Sequence, residues 1–364
     1  MTQRKTRSWD ASQVKRFSKT VITYFISRRR DADGERQQIF GTCVERSRNI
    51  TIMAITLLEA AKVAPSIQTA TIIEEYAASS DILRVIPFED VAGTGKHYNR
   101  EDKLPGVGFR GINEGYKESV GVLNPQSEAL KIFGGDLDVD RAIIDMQGEQ
   151  VRSVHEMMKV KALALSWTYN FIKGDSSIDP RGFDGLQVRL TGTQLVSNND
   201  AGGPLSLERL DQLIDVVDTP THLIMGKSAR RKLNQAVRNR TVSGDIEFTQ
   251  DQFGSRVMMY NGLPILIADY DNNGNTIMDF TETSPDGTSS TQCQSIYCVC
   301  FKEMMLNGIQ GAVDGVYGVS SRDLGELETK PVFRTRVDWY TAIACYHGRA
   351  AARLYGITNA PPIS

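Results

Sequence analysis

One periodicity runs without a break from Glu149 to Gly174, and it commits that segment to a single long α-helix. Val151, Val154, Met158, Ala162, Leu165, Tyr169 and Ile172 step by three or four residues, as one helix face requires. Met157, Val160, Ala164, Trp167 and Phe171 form a second apolar row beside it, while Arg152, His155, Lys159, Ser166, Asn170 and Lys173 line the polar side, broken only by Leu163. At ~1.5 Å per residue the helix is roughly 37 Å long. Gly174 stands where a left-handed glycine can close it. So wide an apolar surface needs cover, and the rest of the chain is read for what supplies it.

With 364 residues the chain exceeds one average domain, which implies two subdomains or one elaborated domain. Its 40% apolar and 24% charged content is that of a soluble protein, and no apolar run approaches the ~18 residues of a membrane span, so no membrane partner is expected. The net charge of −2 conceals an asymmetry. Residues 1–52 hold twelve Lys or Arg against five Asp or Glu, a balance of +7; the remainder holds thirty against thirty-nine, or −9. An acidic body argues against a protein that coats DNA, a role needing many cations over phosphate. Cys43, Cys293, Cys298, Cys300 and Cys345 are an odd set that reads as reduced thiols.

Residues 1–52 include Arg28-Arg29-Arg30 and lack a sustained period, the profile of a disordered basic arm. A second reading places the start of translation at Met53, before the amphipathic run Ile55-Thr56-Leu57-Leu58. A removable leader is a third, against which Asp31, Asp33 and Glu35 argue. From Ile55 to Ala78 the pattern is helical, broken at Pro65. Ile82 to Phe88 has strand composition, and the glycines from Gly93 to Gly121 then mark an extended hairpin that projects from the body. Its edges and its Val107, Phe109 and Ile112 call for cover by another subunit. Asp138 and Asp140 stand at a helix start.

Beyond Pro204 the pattern turns α/β. A helix holds Leu207 to Val217, a buried strand Thr221 to Met225, and a helix capped by Ser228 holds Leu233 and Val237. Strands follow at Leu263–Ala268 and Ile296–Phe301, separated by an exposed loop from Asp271 to Gln294. Val332 to Tyr346 alternates as a long strand and is expected to pack on the long helix.

Chemistry is sparse. Gly93-Thr94-Gly95-Lys96 lacks the first glycine and the final Ser or Thr of a phosphate loop. Cys293, Cys298 and Cys300 lack zinc-knuckle spacing, and the four histidines are isolated. Arg230-Arg231-Lys232, with Arg238 and Arg240, reads as a solvated helix face. The triplets at Asn49 and Asn239 carry no weight without secretion. No catalytic residue, metal or cofactor is expected, and the protein reads as a non-enzyme.

The order of the pieces resembles the Hong-Kong-97-type major capsid proteins of tailed phages. Phe183-Asp184-Gly185-Leu186, Thr221 to Ser228, Gly262-Leu263-Pro264-Ile265 and the ending Gly348 to Ile357 are similar to segments of that family. The resemblance implies an α+β capsid fold with these parts: an N-terminal arm at 53–80, an extended loop at 81–131, a peripheral domain from 132–203 and 321–364 with a spine helix at 149–173, and an axial domain at 204–320. It implies self-assembly into pentamers and hexamers of an icosahedral shell around double-stranded DNA, held without sequence specificity. Scaffold, portal and decoration proteins are further partners, and the virion capsid, after assembly in the bacterial cytoplasm, is the location. On that layout the inter-subunit contact candidates are Lys96, Lys103, Val107, Phe109, Arg110, Arg152, Lys159, Arg334 and Arg336. The family's lysine–asparagine cross-link finds no matching local motif at Lys96, Lys103, Lys117 or Asn359. An encapsulin-type shell with protein cargo, a two-domain α/β enzyme and a basic-arm nucleic-acid binder are the alternatives.

Overall fold

The computed structural model describes residues 55–56, 80–238, 246–250, 256–287, 292–313 and 315–363. The basic head, the start at Met53, most of the arm before Ser80, Cys43 and Arg240 lie outside these residues.

Two sheets carry the fold. The first runs β1 (Ile55–Thr56), β2 (Pro87–Val91), β12 (Leu306–Val313), β15 (Val332–Cys345) and β14 (Ser320–Glu326); β5 (Lys131–Asp140) pairs along β15 and β13 (Val316–Tyr317) along β12. The second runs β6 (Leu195–Ser197), β16 (Ala351–Thr358), β11 (Cys293–Val299), β7 (His222–Met225), β10 (Leu263–Ile267), β9 (Arg256–Tyr260) and β8 (Ile246–Gln250). One ribbon stitches them together. β11 pairs antiparallel with β16 from Cys293↔Thr358 to Val299↔Ala351, and β12 with β15 from Leu306↔Cys345 to Gln310↔Thr341. The pairing offset changes by no more than one residue across the gap, so the two sheets share a single hairpin-like backbone. For this reason β12 joins the first sheet and β16 the second, across the boundaries at 320 and 321 expected from sequence.

α3 (Gln150–Lys173) is the expected long helix, and it covers the first sheet. Of its two apolar rows the second faces the core from Val160 onward: Val160, Ala164, Trp167 and Phe171 are buried, joined by Leu163, Thr168 and, from the first row, Ile172. Trp167 sits at the centre of an aromatic cluster, with centroids 5.8 Å from Trp339, 5.8 Å from Phe88, 5.2 Å from Phe171 and 6.2 Å from Phe183. Phe88 approaches β12 so closely that a Cβ on Gly308 would lie 2.3 Å from its ring, which leaves glycine as the residue that fits. Val154, Met157 and Met158 are exposed instead.

Several local expectations change. Gly174 has φ −56°, not a left-handed angle; it is glycine because a Cβ would lie 2.5 Å from both the Asn170 and the Phe183 carbonyl oxygens. Asp81–Val85 is a short helix, α1, with the backbone extended from Ile86 onward and the strand itself beginning at Pro87, since Ile82, Leu83 and Ile86 all reach the core at helical spacing. The stretch after Asp271 is not simply exposed, because Ile277, Met278 and Ser284 are buried. Asp140 does cap α2 (Arg141–Gln147), its carboxylate accepting from Ala142 N at 2.8 Å. Asp138 lies inside β5.

The second core lies on the other side of the second sheet. Leu223 and Met225 of β7 face it, while Ile224 faces the first core. α5 (Leu207–Val216), capped by Ser206, and α6 (Lys227–Arg238) close it with Leu210, Leu213, Leu233 and Ala236. Ser228 is not the cap expected of it; it lies inside α6 and its hydroxyl donates to Gln294 Oε1 at 2.7 Å.

Candidate assembly interface

β3 (Gly95–Lys103) and β4 (Val122–Ala129) form a two-stranded ribbon of their own, separate from both sheets. Strand alternation puts Lys96, Tyr98 and Arg100 on one face of β3, and all three reach back to the body. Lys96 pairs with Glu89, whose other carboxylate oxygen accepts from the Tyr346 hydroxyl at 2.6 Å. The Tyr98 hydroxyl accepts from Cys345 N at 3.3 Å and donates to Glu128 at 3.5 Å. Burial, reinforced by the Glu128 charge, pushes the Tyr98 phenol up to about 12. Arg100 donates to Gln194 Oε1 at 3.4 Å, and Gln194 passes the bond on to the Ala351 carbonyl at 3.0 Å.

The strongest tie is Arg189, at the end of α4 (Leu186–Arg189). Its guanidinium holds Glu128 of β4 by two bonds of 2.5 and 2.8 Å, both side chains largely buried. Burial works against the charged guanidinium, yet the carboxylate overcomes it and keeps Arg189 raised. The base of the hairpin is therefore locked while its far end is free.

That far end, residues 104–121, has no strand pairing. Val107, Phe109, Ile112 and Val120 are almost fully exposed, and Arg110 lies over the Tyr116 ring with its guanidinium donating to the Glu114 carbonyl at 3.1 Å. A second apolar surface lies on the helices. Met146 of α2 and Val154, Met157 and Met158 of α3 are each about half exposed or more. Patches of this kind on a subunit mark surfaces that other chains cover.

The remaining predicted contact residues fall on the two faces of the β5–β15 ladder. Arg334 grips Asp138 at 2.6 Å through two nitrogens, and Arg336 grips Asp136 at 2.7 and 2.9 Å. These bonds hold both carboxyls below the usual carboxylate range. On the helix side, Arg152 bonds Thr335 at 2.8 Å and Asp323 at 2.5 Å, and Lys159 lies over Gly135, where a Cβ would be 2.7 Å from its amine. Arg152, Lys159, Arg334 and Arg336 thus gather on one ladder, whereas Val107, Phe109 and Arg110 stand apart at the hairpin tip, and Lys96 at its base. Lys103 ends β3 opposite Val122.

Cys298, Cys300 and Cys345 are buried free thiols and Cys293 is buried as well; burial pushes Cys298 up to about 12. Among the described residues no three His, Cys, Asp or Glu side chains gather as a metal site, and no helix is long and apolar enough to cross a membrane.

The profile of a family described as major capsid protein GP7 matches residues 64–203, the stretch that holds the hairpin, its anchor and α3. The chain is a capsid shell protein with the Hong-Kong-97-type fold. Solved structures of that fold cover most of the shell protein. The SrpI encapsulin of Synechococcus elongatus PCC 7942 aligns over 84% of this chain and 96% of its own, at 17% identity and TM-score 0.55. The capsid of an empty GTA particle aligns over 77% and 90% at 12% identity, TM-score 0.52. Mycobacterium phage Bobi aligns over 78% and 91% at 10% identity, TM-score 0.51. No curated protein sequence matches.

The hairpin anchor was not visible in sequence. Glu128 and Arg189 are 61 residues apart, and neither sits in a motif; the one local trace is the alternation of Lys96, Tyr98 and Arg100.

Proposed function

We propose that this shell protein assembles through its extended hairpin into an icosahedral particle of pentamers and hexamers around double-stranded DNA. The tip of one subunit lies over the peripheral part of a neighbour, the part built from α3 and the β5–β15–β14 ladder, with the second sheet and its helices forming the axial part. One observation carries this reading: a hairpin locked at its base ends in apolar side chains that the described residues leave uncovered. Burying Val107, Phe109, Ile112 and Val120 at ~1.5–3 kcal/mol each supplies on the order of 10 kcal/mol per subunit, enough to drive association once symmetry repeats it. The exposed Val154, Met157 and Met158 of α3 offer an apolar surface of matching kind.

Scaffold, portal and decoration proteins join this reading as partners, with assembly in the host cytoplasm. An acidic body from residue 53 onward suits a wall that must not adhere to packaged DNA. Expression followed by sedimentation and negative-stain imaging tests the proposal. Closed particles, with DNA inside when packaging proteins are present, are the expected result. Particles that take up protein cargo and never nucleic acid would favour the encapsulin reading, and a stable monomer or dimer under all these conditions would overturn both.

A further inference from the structure

The two helices that close the second core carry opposite charge outward. α5 buries Leu207, Leu210, Leu213 and Ile214 and turns Glu208, Asp211 and Asp215 to solvent, with exposed Asp218 just beyond its end; its one exposed cation, Arg209, donates to Gln212 Oε1 at 2.7 Å, so the face stays acidic on balance. α6 buries Ala229, Leu233 and Ala236 and carries Lys227, Arg230, Arg231 and Lys232 on the remaining faces of its first turns.

Part of this charge is already engaged within the subunit. Lys227 pairs with Asp269, Lys232 donates to the Asn359 carbonyl at 3.3 Å, and Asp211 accepts from the Tyr260 hydroxyl at 2.8 Å. Arg230 and Arg231 line a cleft that also holds Asp279, but that carboxylate is turned onto Phe280 N at 2.9 Å and receives the Thr276 hydroxyl. Arg230, Arg231, Glu208, Asp215 and Asp218 thus keep side chains without a hydrogen bond or ion pair to any described residue. The acidic and basic helices belong to one core yet do not engage each other.

Symmetry then selects the contact. A two-fold, isologous interface through α5 would set a mainly acidic face against itself, and one through α6 would set a basic face against itself. A head-to-tail contact sets the acidic helix against the basic one, and repeated contacts of that kind close a ring when the rotation between copies closes. We infer that the outer face of α5 on one subunit docks on the first turns of α6 on the next copy, Glu208, Asp215 and Asp218 meeting Arg230 and Arg231 around the rotation axes of the shell. This deepens the assembly reading and rests on it. A phosphate polymer on α6 is the competing occupant, and it leaves the acidic face of α5 without a role.

The test uses the full chain under the conditions in which the wild type forms particles. Three variants are compared by sedimentation and negative stain: Arg230→Glu with Arg231→Glu, Glu208→Lys with Asp215→Lys, and all four together. Each reversed pair is expected to cut the assembled fraction by roughly tenfold or more, and the fourfold exchange to recover it to within about threefold, because the contact is restored with its polarity inverted. Circular dichroism melts of the unassembled subunits check that these exposed changes leave folding intact. Neutralising Arg231→Gln and Asp215→Asn should in addition flatten the salt dependence of assembly, which needs no reversed charge. Folded acidic-side variants that assemble like wild type overturn the contact, as does a folded fourfold variant that recovers nothing. Loss confined to the basic-side variant, accompanied by loss of nucleic acid from the particles, would place a phosphate polymer on α6 instead. A wild type that forms no particles would remove the assembly reading itself, a different result from any of these.

Discussion

Arg189 and Glu128 meet through two parallel hydrogen bonds of 2.5 and 2.8 Å beneath the hairpin, and this pair fastens the base of the hairpin to the body. Breaking a largely buried ion pair by removing one partner leaves the other charge uncompensated, at a cost of about 3–5 kcal/mol. Arg189→Ala should therefore lower subunit stability by about that amount in urea unfolding. Hydrogen exchange should rise along β3 and β4 more than along β15. Replacing both partners with apolar residues of similar volume should recover much of the loss, because no charge is then left buried alone.

The apolar side chains at the hairpin tip contribute nothing to the subunit's own core, so their effect should appear only on association. Val107→Ser with Phe109→Ser should leave the melting temperature of the unassembled subunit within about 2 °C, since surface changes of this kind stay within roughly 0.5 kcal/mol. Particle formation should fall steeply. Velocity sedimentation of the two proteins side by side reads both outcomes.

Arg152 and Lys159 look alike in sequence, two cations on the polar side of a helix, yet the fold treats them differently. Arg152 is held by Asp323, Thr335 and Glu156. Its guanidinium is raised by the Asp323 bond, and the same bond keeps the Asp323 carboxyl below its ordinary range. Arg152→Glu should destabilise the subunit itself, by about 1–3 kcal/mol, since it loses a charge-assisted bond and sets like charges together. Lys159→Glu, with no such partner, should be milder in the same denaturant titration. The sequence offers Arg152 as an inter-subunit contact candidate, and its bonds to Asp323 and Thr335 give it a role inside the subunit as well.

α3 and β15 were legible because each is one unbroken period, 3.6 in one and 2 in the other, long enough to outvote local noise. Which apolar row of α3 faces the core was not legible. Val154 and Met158 match Val160 and Ala164 in hydrophobicity, and only the placement of Trp339 and Phe88 against Trp167 separates them. The ribbon shared by the two sheets was hidden for a related reason: its strands pair residues far apart in the chain, so the natural cut at 320 divides what hydrogen bonding joins. Of the candidate contacts, the hairpin apolar residues could be picked out because glycine-rich sequence rarely buries Phe and Ile. Arg334 and Arg336 could not be read as ladder residues, since nothing near them announces Asp136 and Asp138 on the neighbouring strand.

Gly174 offers a test of packing at the end of α3. Its amide closes the helix on the Asn170 carbonyl at 2.9 Å, and its own carbonyl accepts from Gly185 N at 2.8 Å, which draws the loop carrying Phe183 across the helix end. Gly174→Ala would place a methyl 2.5 Å from two backbone oxygens. Because φ is −56°, backbone strain is not the issue, and the whole cost is steric. It should amount to about 1–3 kcal/mol, read as a lower urea midpoint with an unchanged m-value, together with altered fluorescence from Trp167 as Phe183 is displaced.

His222 supplies the pH dependence. Burial in β7, against the Phe301 ring at 5.6 Å, lowers its pKa to about 4 from an ordinary 6.5. The unfolded chain therefore binds a proton between those two values that the folded subunit refuses, so stability rises with pH through that window. Above pH 6.5 the imidazole is neutral in both states and contributes no slope. As pH falls from about 6.5 towards 4 the subunit should lose up to ~3 kcal/mol from this one group, and the loss should level off below pH 4, where the folded form also takes the proton. His222→Gln should remove that slope in urea titrations between pH 4.5 and 7, values chosen to lie above the carboxylate range of Asp136, Asp138 and Asp323. A slope that survives the substitution would mean that another group titrates there.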